Sequence, residues 1–256
     1  MSIVDFNYMS HSLLHPTTVK VVLPEERKPE KTMYFLHGVM SDAKNCLDNV
    51  NMQSIADRYG VGIVIPDCGN SFYVDHGPAF GNYGKFVGSE LVDVTRNEFG
   101  FSKNREDTAI AGFSMGGFGA IRNGVKYAKN YGYIIAMSPA CLYEPSACKM
   151  SETRFSYFKE MLFDKVLKEK AVPGEFSENY RYLIQKAVEK KKVIPKIYMT
   201  CGLDEELLDI ADEFSTFLKA MAIDHEYIKE PGNHDWSLWS RQIEPAIRWF
   251  LKDDEA

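Results

Sequence analysis

The sequence predicts an α/β protein in which a mainly parallel central sheet is covered by helices on both faces. Three observations carry that expectation. Short, nearly continuous apolar runs recur from about residue 30 onward. Helix-length amphipathic segments lie between them. A G-x-S-x-G pattern at 112–116 sits where one apolar run gives way to a helix.

The runs Thr32–Leu36, Gly62–Ile65, Thr108–Phe113, Tyr133–Met137, Lys196–Thr200 and His225–Lys229 read as strands. Continuous apolar character is what a central strand needs when both of its faces are covered. Thr18–Leu23 (TVKVVL) alternates instead, which suits an earlier, antiparallel edge strand. Between them, Gly84–Phe99 places Phe86, Val87, Leu91, Val94 and Phe99 roughly on one helical face. Met115–Tyr127, Leu207–Met221 and Ser237–Leu251 follow the later strands as helices. Such alternation implies right-handed crossovers between parallel strands.

The stretch 141–195 breaks this rhythm. It contains no clear strand and two amphipathic segments, Phe155–Glu169 and Glu178–Lys191. It reads as a cap-like helical insertion over one end of the sheet, within a single domain spanning 1–256. The run KAVEKKK at 186–192 reads as a solvated helix end.

Composition narrows the function classes. The 256 residues are 45% hydrophobic and 26% charged, which suits a folded globular chain and excludes a disordered or fibrous one. The net charge of -6, with no basic tract, argues against nucleic acid or a membrane surface as partner. The longest apolar runs, such as Val61–Pro66, fall far short of the roughly 20 residues that a membrane span needs. The opening MSIVDFNYMSHSLL lacks the pattern of a secretory signal. The five cysteines, Cys46, Cys68, Cys141, Cys148 and Cys201, form no disulfide framework and no CxxC zinc pattern. They read as reduced thiols of a cytoplasmic protein, with a Cys141–Cys148 pairing the less favoured alternative. No metal and no organic cofactor is expected.

The chemistry concentrates at Gly112-Phe-Ser-Met-Gly116. A serine on a sharp strand-to-helix turn adopts a strained backbone, so the residues two positions away must be small. Gly112, Gly116 and Gly117 meet that need. The turn lifts the Ser114 hydroxyl above the sheet and leaves the Met115 amide at a helix N-terminus, where it can face a developing oxyanion. Leu36-His37-Gly38-Val39 follows the strand TMYFL and offers a second oxyanion amide, from Val39 or else Met40, with His37 a structural turn residue. His234, in GNHDW between the last strand and the last helix, lies at the same strand ends and is the candidate base. The acid belongs in the loop after KIYMT, where Asp204, Glu205 and Glu206 compete. Asp is the commoner third member, which favours Asp204, although either type can orient an imidazole.

Together, GFSMGG, the LHG turn and GNHDW before a Trp-rich helix resemble the esterase D-like α/β-hydrolases, nearest the tributyrin-esterase and feruloyl/acetyl-xylan-esterase branch. The resemblance runs from about Ile3 to Leu251 and implies the α/β-hydrolase fold. IPDCGNSFYVDHG resembles the loop beside the acyl site of these enzymes, which makes Phe72, Tyr73 and His76 candidate substrate-binding residues. In the acid loop these relatives show a glycine, two residues, then an Asp. Counted from Gly202, that place is Glu205, so register favours Glu205 over Asp204, with Asp209 and Asp235 next.

The expected function is serine carboxylic-ester hydrolysis of short-chain acyl esters, including acetyl or feruloyl esters of carbohydrates, through an acyl-enzyme. A small ester or acylated oligosaccharide is then the partner, and a homo-oligomer stays open. The alternatives are an S-formylglutathione hydrolase, an acyltransferase to a sugar acceptor and a non-catalytic binding protein on a hydrolase scaffold.

Overall fold

A computed structural model describes residues 2–144, 146–147 and 179–252. Eight strands form one sheet in the order β1-β2-β4-β3-β5-β6-β7-β8. They are β1 Ile3–Ser10, β2 His15–Val22, β3 Lys31–Leu36, β4 Val61–Pro66, β5 Thr108–Phe113, β6 Tyr133–Met137, β7 Lys196–Gly202 and β8 His225–Glu230. The strands from β3 to β8 run parallel, while β2 is antiparallel to both β1 and β4. With its helices on both faces this is the α/β-hydrolase fold.

Two hydrophobic layers sandwich the sheet. Along β3, Tyr34 and Leu36 enter one layer while Met33 and Phe35 enter the other, the period of two that a pleated strand imposes. The first layer is closed by helices Leu91–Phe99, Met115–Lys126, Tyr180–Glu189 and Leu208–Ala220. The second is closed by Ala43–Asn49, Met52–Tyr59 and Trp236–Leu251.

Two expectations need correction, and three elements have no counterpart in the sequence reading. Thr18–Leu23 is not an edge: β2 begins at His15 and lies between β1 and β4. The edge is β1, IVDFNYMS, whose residues are all exposed or half-exposed apart from Ser10, as an edge strand allows. Helices Ala43–Asn49 and Met52–Tyr59 were also unread, being short and capped by Asp42 and Asn51 rather than announced by a long apolar stripe. Gly84–Phe99 is not one regular helix, since a π-turn at Phe86–Glu90 precedes Leu91–Phe99.

Of the stretch 141–195, the segment Phe155–Glu169 and Cys148 lie outside the described residues. The second amphipathic segment holds the helix Tyr180–Glu189, which buries Tyr180, Ile184 and Ala187. Lys190, Lys191 and Lys192 are exposed beyond its end.

The strand order places the site. From β3 the chain passes to β4 on one side, then returns to β5 on the other. The carboxyl ends of β3 and β5 therefore flank a point where connections leave in opposite directions, which opens a crevice above the sheet. Gly38-Val39 leaves β3 there and Ser114 leaves β5 there.

Candidate active site

Ser114 has φ 56° and ψ −118°, a left-handed conformation that an L-residue adopts only under constraint. The neighbouring backbone supplies the constraint. A Cβ on Gly116 would lie 2.0 Å from the Leu36 carbonyl oxygen, and one on Gly112 would lie 2.5 Å from the backbone of Gly116. Strand and helix thus meet too closely for any side chain at either position. The Ser114 N–H donates to the Met137 carbonyl (3.0 Å), while the Ala140 N–H donates to the Ser114 carbonyl (3.0 Å). These bonds anchor the turn to the end of β6, and the serine is 7% exposed.

The acid and base arrive on loops at the ends of β7 and β8, which are tied together. Leu203 N–H donates to the Glu230 carbonyl (2.9 Å) and Asp204 N–H to the Gly232 carbonyl (3.1 Å). His234 Nε2 lies 2.9 Å from Ser114 Oγ, and its Nδ1 lies 2.8 Å from Glu205 Oε2. A carboxylate can only accept, so Nδ1 carries the proton of the neutral ring. Nε2 is then the acceptor for the Ser114 hydroxyl, the tautomer that a general base requires. The Glu205 side chain is fully buried, and its Oε1 accepts from the Gly202 N–H (2.8 Å) and the Ser138 hydroxyl (2.5 Å).

Of the acids considered, Glu205 is the one that meets His234. Asp204 is exposed and enters the arrangement only through its backbone. Its place in the loop turns the side chain outward, whereas the next residue turns inward. Asp235 instead caps the last helix, and the bonds it accepts, from the Ser237 hydroxyl first and then from the Ser237 and Leu238 amides, hold its carboxyl below the usual range. Asp209 is exposed in the helix Leu208–Ala220.

The oxyanion candidates separate on hydrogen bonding. Met115 opens its helix, so its amide has no carbonyl one turn earlier to bond. The Val39 amide has no partner among the described residues. Met40 is ruled out, because its N–H donates to Asn70 Oδ1 (2.9 Å) and is no longer available. Buried His37 accepts from the Cys68 N–H at Nε2 (3.1 Å), which leaves Nδ1 to donate to the Gly38 carbonyl (2.8 Å). In a trans peptide the C=O and N–H point opposite ways, so turning the Gly38 carbonyl toward His37 turns the Val39 N–H away from it.

A pocket of roughly 270 Å³ opens over Ser114 and His234. Phe72 lines it. Tyr73 and His76 do not. Tyr73 is fully buried with its hydroxyl on the His37 carbonyl (2.8 Å), and His76 Nε2 bonds the Ser71 carbonyl (2.8 Å). Both are consumed in holding the loop. Leu142, from the stretch 141–195, lines the pocket too, and the walls that sequence reading missed are Ala140, Leu207, Trp236 and Trp239. The rings of Trp236 and Trp239 stand 4.7 and 4.5 Å from that of Phe113. Trp236 was visible two places after His234, but nothing in the local pattern announces that it faces the pocket. No group of three or more His, Cys, Asp or Glu among the described residues is arranged to hold a metal.

Residues 10–250 match the model of the Esterase family. The chain belongs to that family. Within the Esterase family it is 34% identical to an acetyl esterase of Caldicellulosiruptor saccharolyticus, over 98% of this chain and 99% of the relative. Its fold is shared with the fluorophosphonate-binding serine hydrolase FphF of Staphylococcus aureus, at TM-score 0.85 and 24% identity, covering 97% of this chain and 98% of that one. An S-formylglutathione hydrolase (FrmB) of the same organism gives TM-score 0.82 at 25% identity, again covering 97% and 98%. The protein is a carboxylic-ester hydrolase of the Esterase family.

Proposed function

We propose that this Esterase-family protein is a serine esterase that removes short acyl groups, acetyl first among them, from neutral alcohols such as acylated oligosaccharides. The observation that carries the reading is the unbroken chain Ser114–His234–Glu205, with bonds of 2.9 and 2.8 Å, beneath a largely apolar pocket. In this reading His234 Nε2 takes the proton as Ser114 Oγ attacks the ester carbonyl. The tetrahedral oxyanion is held by the Val39 and Met115 amides. His234 then gives its proton to the leaving alkoxide and leaves an acyl-enzyme. Water, deprotonated by the same imidazole, attacks that intermediate, and collapse returns the acid and free Ser114. Glu205 keeps Nδ1 protonated throughout and stabilises the imidazolium.

The substrate class draws support from the acetyl esterase similarity over nearly full lengths. A thioester reading draws on the S-formylglutathione hydrolase likeness. Glutathione is an anionic peptide, and among the described pocket residues none is Lys or Arg, which favours the neutral ester. The four described cysteines are free and buried, which supports a reducing, cytoplasmic setting.

The test is a comparison of kcat/KM on p-nitrophenyl acetate, butyrate and octanoate, methyl ferulate, acetylated xylo-oligosaccharides and S-formylglutathione. The reading expects the acetyl esters to lead and activity to fall as the acyl chain lengthens. A preference for S-formylglutathione would replace it with the thioester reading.

A further inference from the structure

Glu205 is held from behind as well as from in front. Behind it stands Ser138, the first residue after β6, in a left-handed conformation with φ 43°. Its N–H donates to the Thr200 carbonyl on the neighbouring strand (2.8 Å). Its hydroxyl is fully buried between two partners, Glu205 Oε1 at 2.5 Å and Trp239 Nε1 at 3.0 Å.

The direction of this chain is forced by chemistry. An indole N–H can only donate, so Ser138 Oγ must accept from Trp239. The single hydroxyl proton is then committed to Glu205. A donor that is itself receiving a hydrogen bond is polarised toward its acceptor. Trp239 also meets the base, since its ring stands edge-on to the His234 imidazole at 4.8 Å and 89°.

We infer that Ser138 is a positioning residue that acts through Glu205, fixing the rotation of the carboxylate so that Oε2 faces His234 Nδ1. The same short turn also holds the nucleophile, because the carbonyl of Met137 and the N–H of Ala140 grip Ser114 from either side. Nucleophile and acid are thus referenced to one turn at the end of β6, independently of the base between them. The strained φ at Ser138 is explained by this double duty: the backbone must bend there for the hydroxyl to reach Glu205. The inference rests on the serine-esterase reading.

The experiment is a double-mutant cycle on p-nitrophenyl acetate hydrolysis, with Ser138→Ala made in the wild type and in Glu205→Gln. A residue that merely supports the fold costs the same in both backgrounds, whereas one acting through Glu205 loses its effect when the carboxylate is gone. The expected result in the wild type is a loss of about tenfold in kcat, the scale of one hydrogen bond to a charged group, with KM within twofold. In Glu205→Gln the same substitution costs less than twofold. Ser138→Gly, which tolerates the positive φ while also lacking the hydroxyl, repeats the measurement should Ser138→Ala fold poorly. Equal losses in both backgrounds, or full activity in Ser138→Ala or Ser138→Gly, overturn the inference. Full activity in Ser114→Ala would instead overturn the serine-esterase reading beneath it, which separates the two failures.

Discussion

Replacing Glu205 by Gln swaps one carboxylate oxygen for an amide nitrogen and changes almost nothing in volume. Where that nitrogen goes is decided by the surroundings. The Oε1 position faces the Gly202 N–H and the Ser138 hydroxyl, and the amide N–H cannot turn away. An NH2 group placed there would confront a fixed donor, so the Gln oxygen takes that position and the NH2 faces His234 Nδ1. That nitrogen must then be unprotonated in order to accept. The neutral ring is driven into the opposite tautomer, with its proton on Nε2 pointing at Ser114 Oγ 2.9 Å away. The base is blocked, and the imidazolium loses its counter-charge as well. An acid-to-amide change of this kind costs roughly 10⁴-fold in kcat in another serine triad, and the same order is expected here. Asp204→Asn, an exposed neighbour, should stay within about twofold, the scale of a screened surface charge. The assay is kcat on p-nitrophenyl acetate for both variants, with thermal melting to show that each is folded. A Glu205→Gln enzyme within tenfold of wild type would refute the tautomer argument. A large loss in Asp204→Asn beside it would move the acid to the other residue.

Other outcomes follow from the same geometry. Ser114→Ala should lower kcat on the order of 10⁴-fold or more and abolish labelling by a fluorophosphonate probe, while melting near the wild-type temperature; labelling at the wild-type rate would point to another nucleophile. Gly116→Ala should destabilise the protein by at least about 1–3 kcal/mol, because its Cβ would stand 2.0 Å from the Leu36 carbonyl oxygen, and chemical denaturation reads this directly. Burial holds the His37 imidazole below its usual value, so the folded state resists protonation there while the unfolded chain does not. Its contribution to stability is present above pH 6.5 and is lost as pH falls below that value toward the folded pKa. Melting temperatures across pH 7.5 to 5 should show a shallower acid decline in His37→Gln than in wild type, and identical slopes would count against the assignment.

The parts legible in the sequence were those governed by local rules. A strand buried on both faces must be apolar throughout, so β3 to β7 announced themselves in the composition of a few residues each. The elbow at Ser114 was legible for a similar reason: a left-handed serine between strand and helix demands glycine at 112 and 116, and the demand is written in adjacent letters. Edge strand β1 and the short helices Ala43–Asn49 and Met52–Tyr59 escaped because their stability comes from docking on the sheet rather than from any periodicity of their own.

What the tertiary structure alone decided is which neighbours in sequence become neighbours in space. Asp204 and Glu205 are adjacent carboxylates; residue type favoured Asp204 and the register counted from Gly202 favoured Glu205, and the pairing of the two loops through Gly232 turns Glu205 toward His234. Val39 and Met40 are adjacent amides, and the choice between them fell to Asn70, 30 residues away, which occupies the Met40 N–H. Tyr73 and His76 looked like pocket residues because they sit in the right loop, yet their polar ends are spent on His37 and Ser71. The pocket wall came from Leu142, Leu207, Trp236 and Trp239, which lie on three separate segments. The physical reason is common to all of these. Backbone strain and strand burial act over two to six residues and leave a local signature. The destination of a side chain in a loop depends on long-range hydrogen bonds and packing, which are made only when the strands beneath have already assembled.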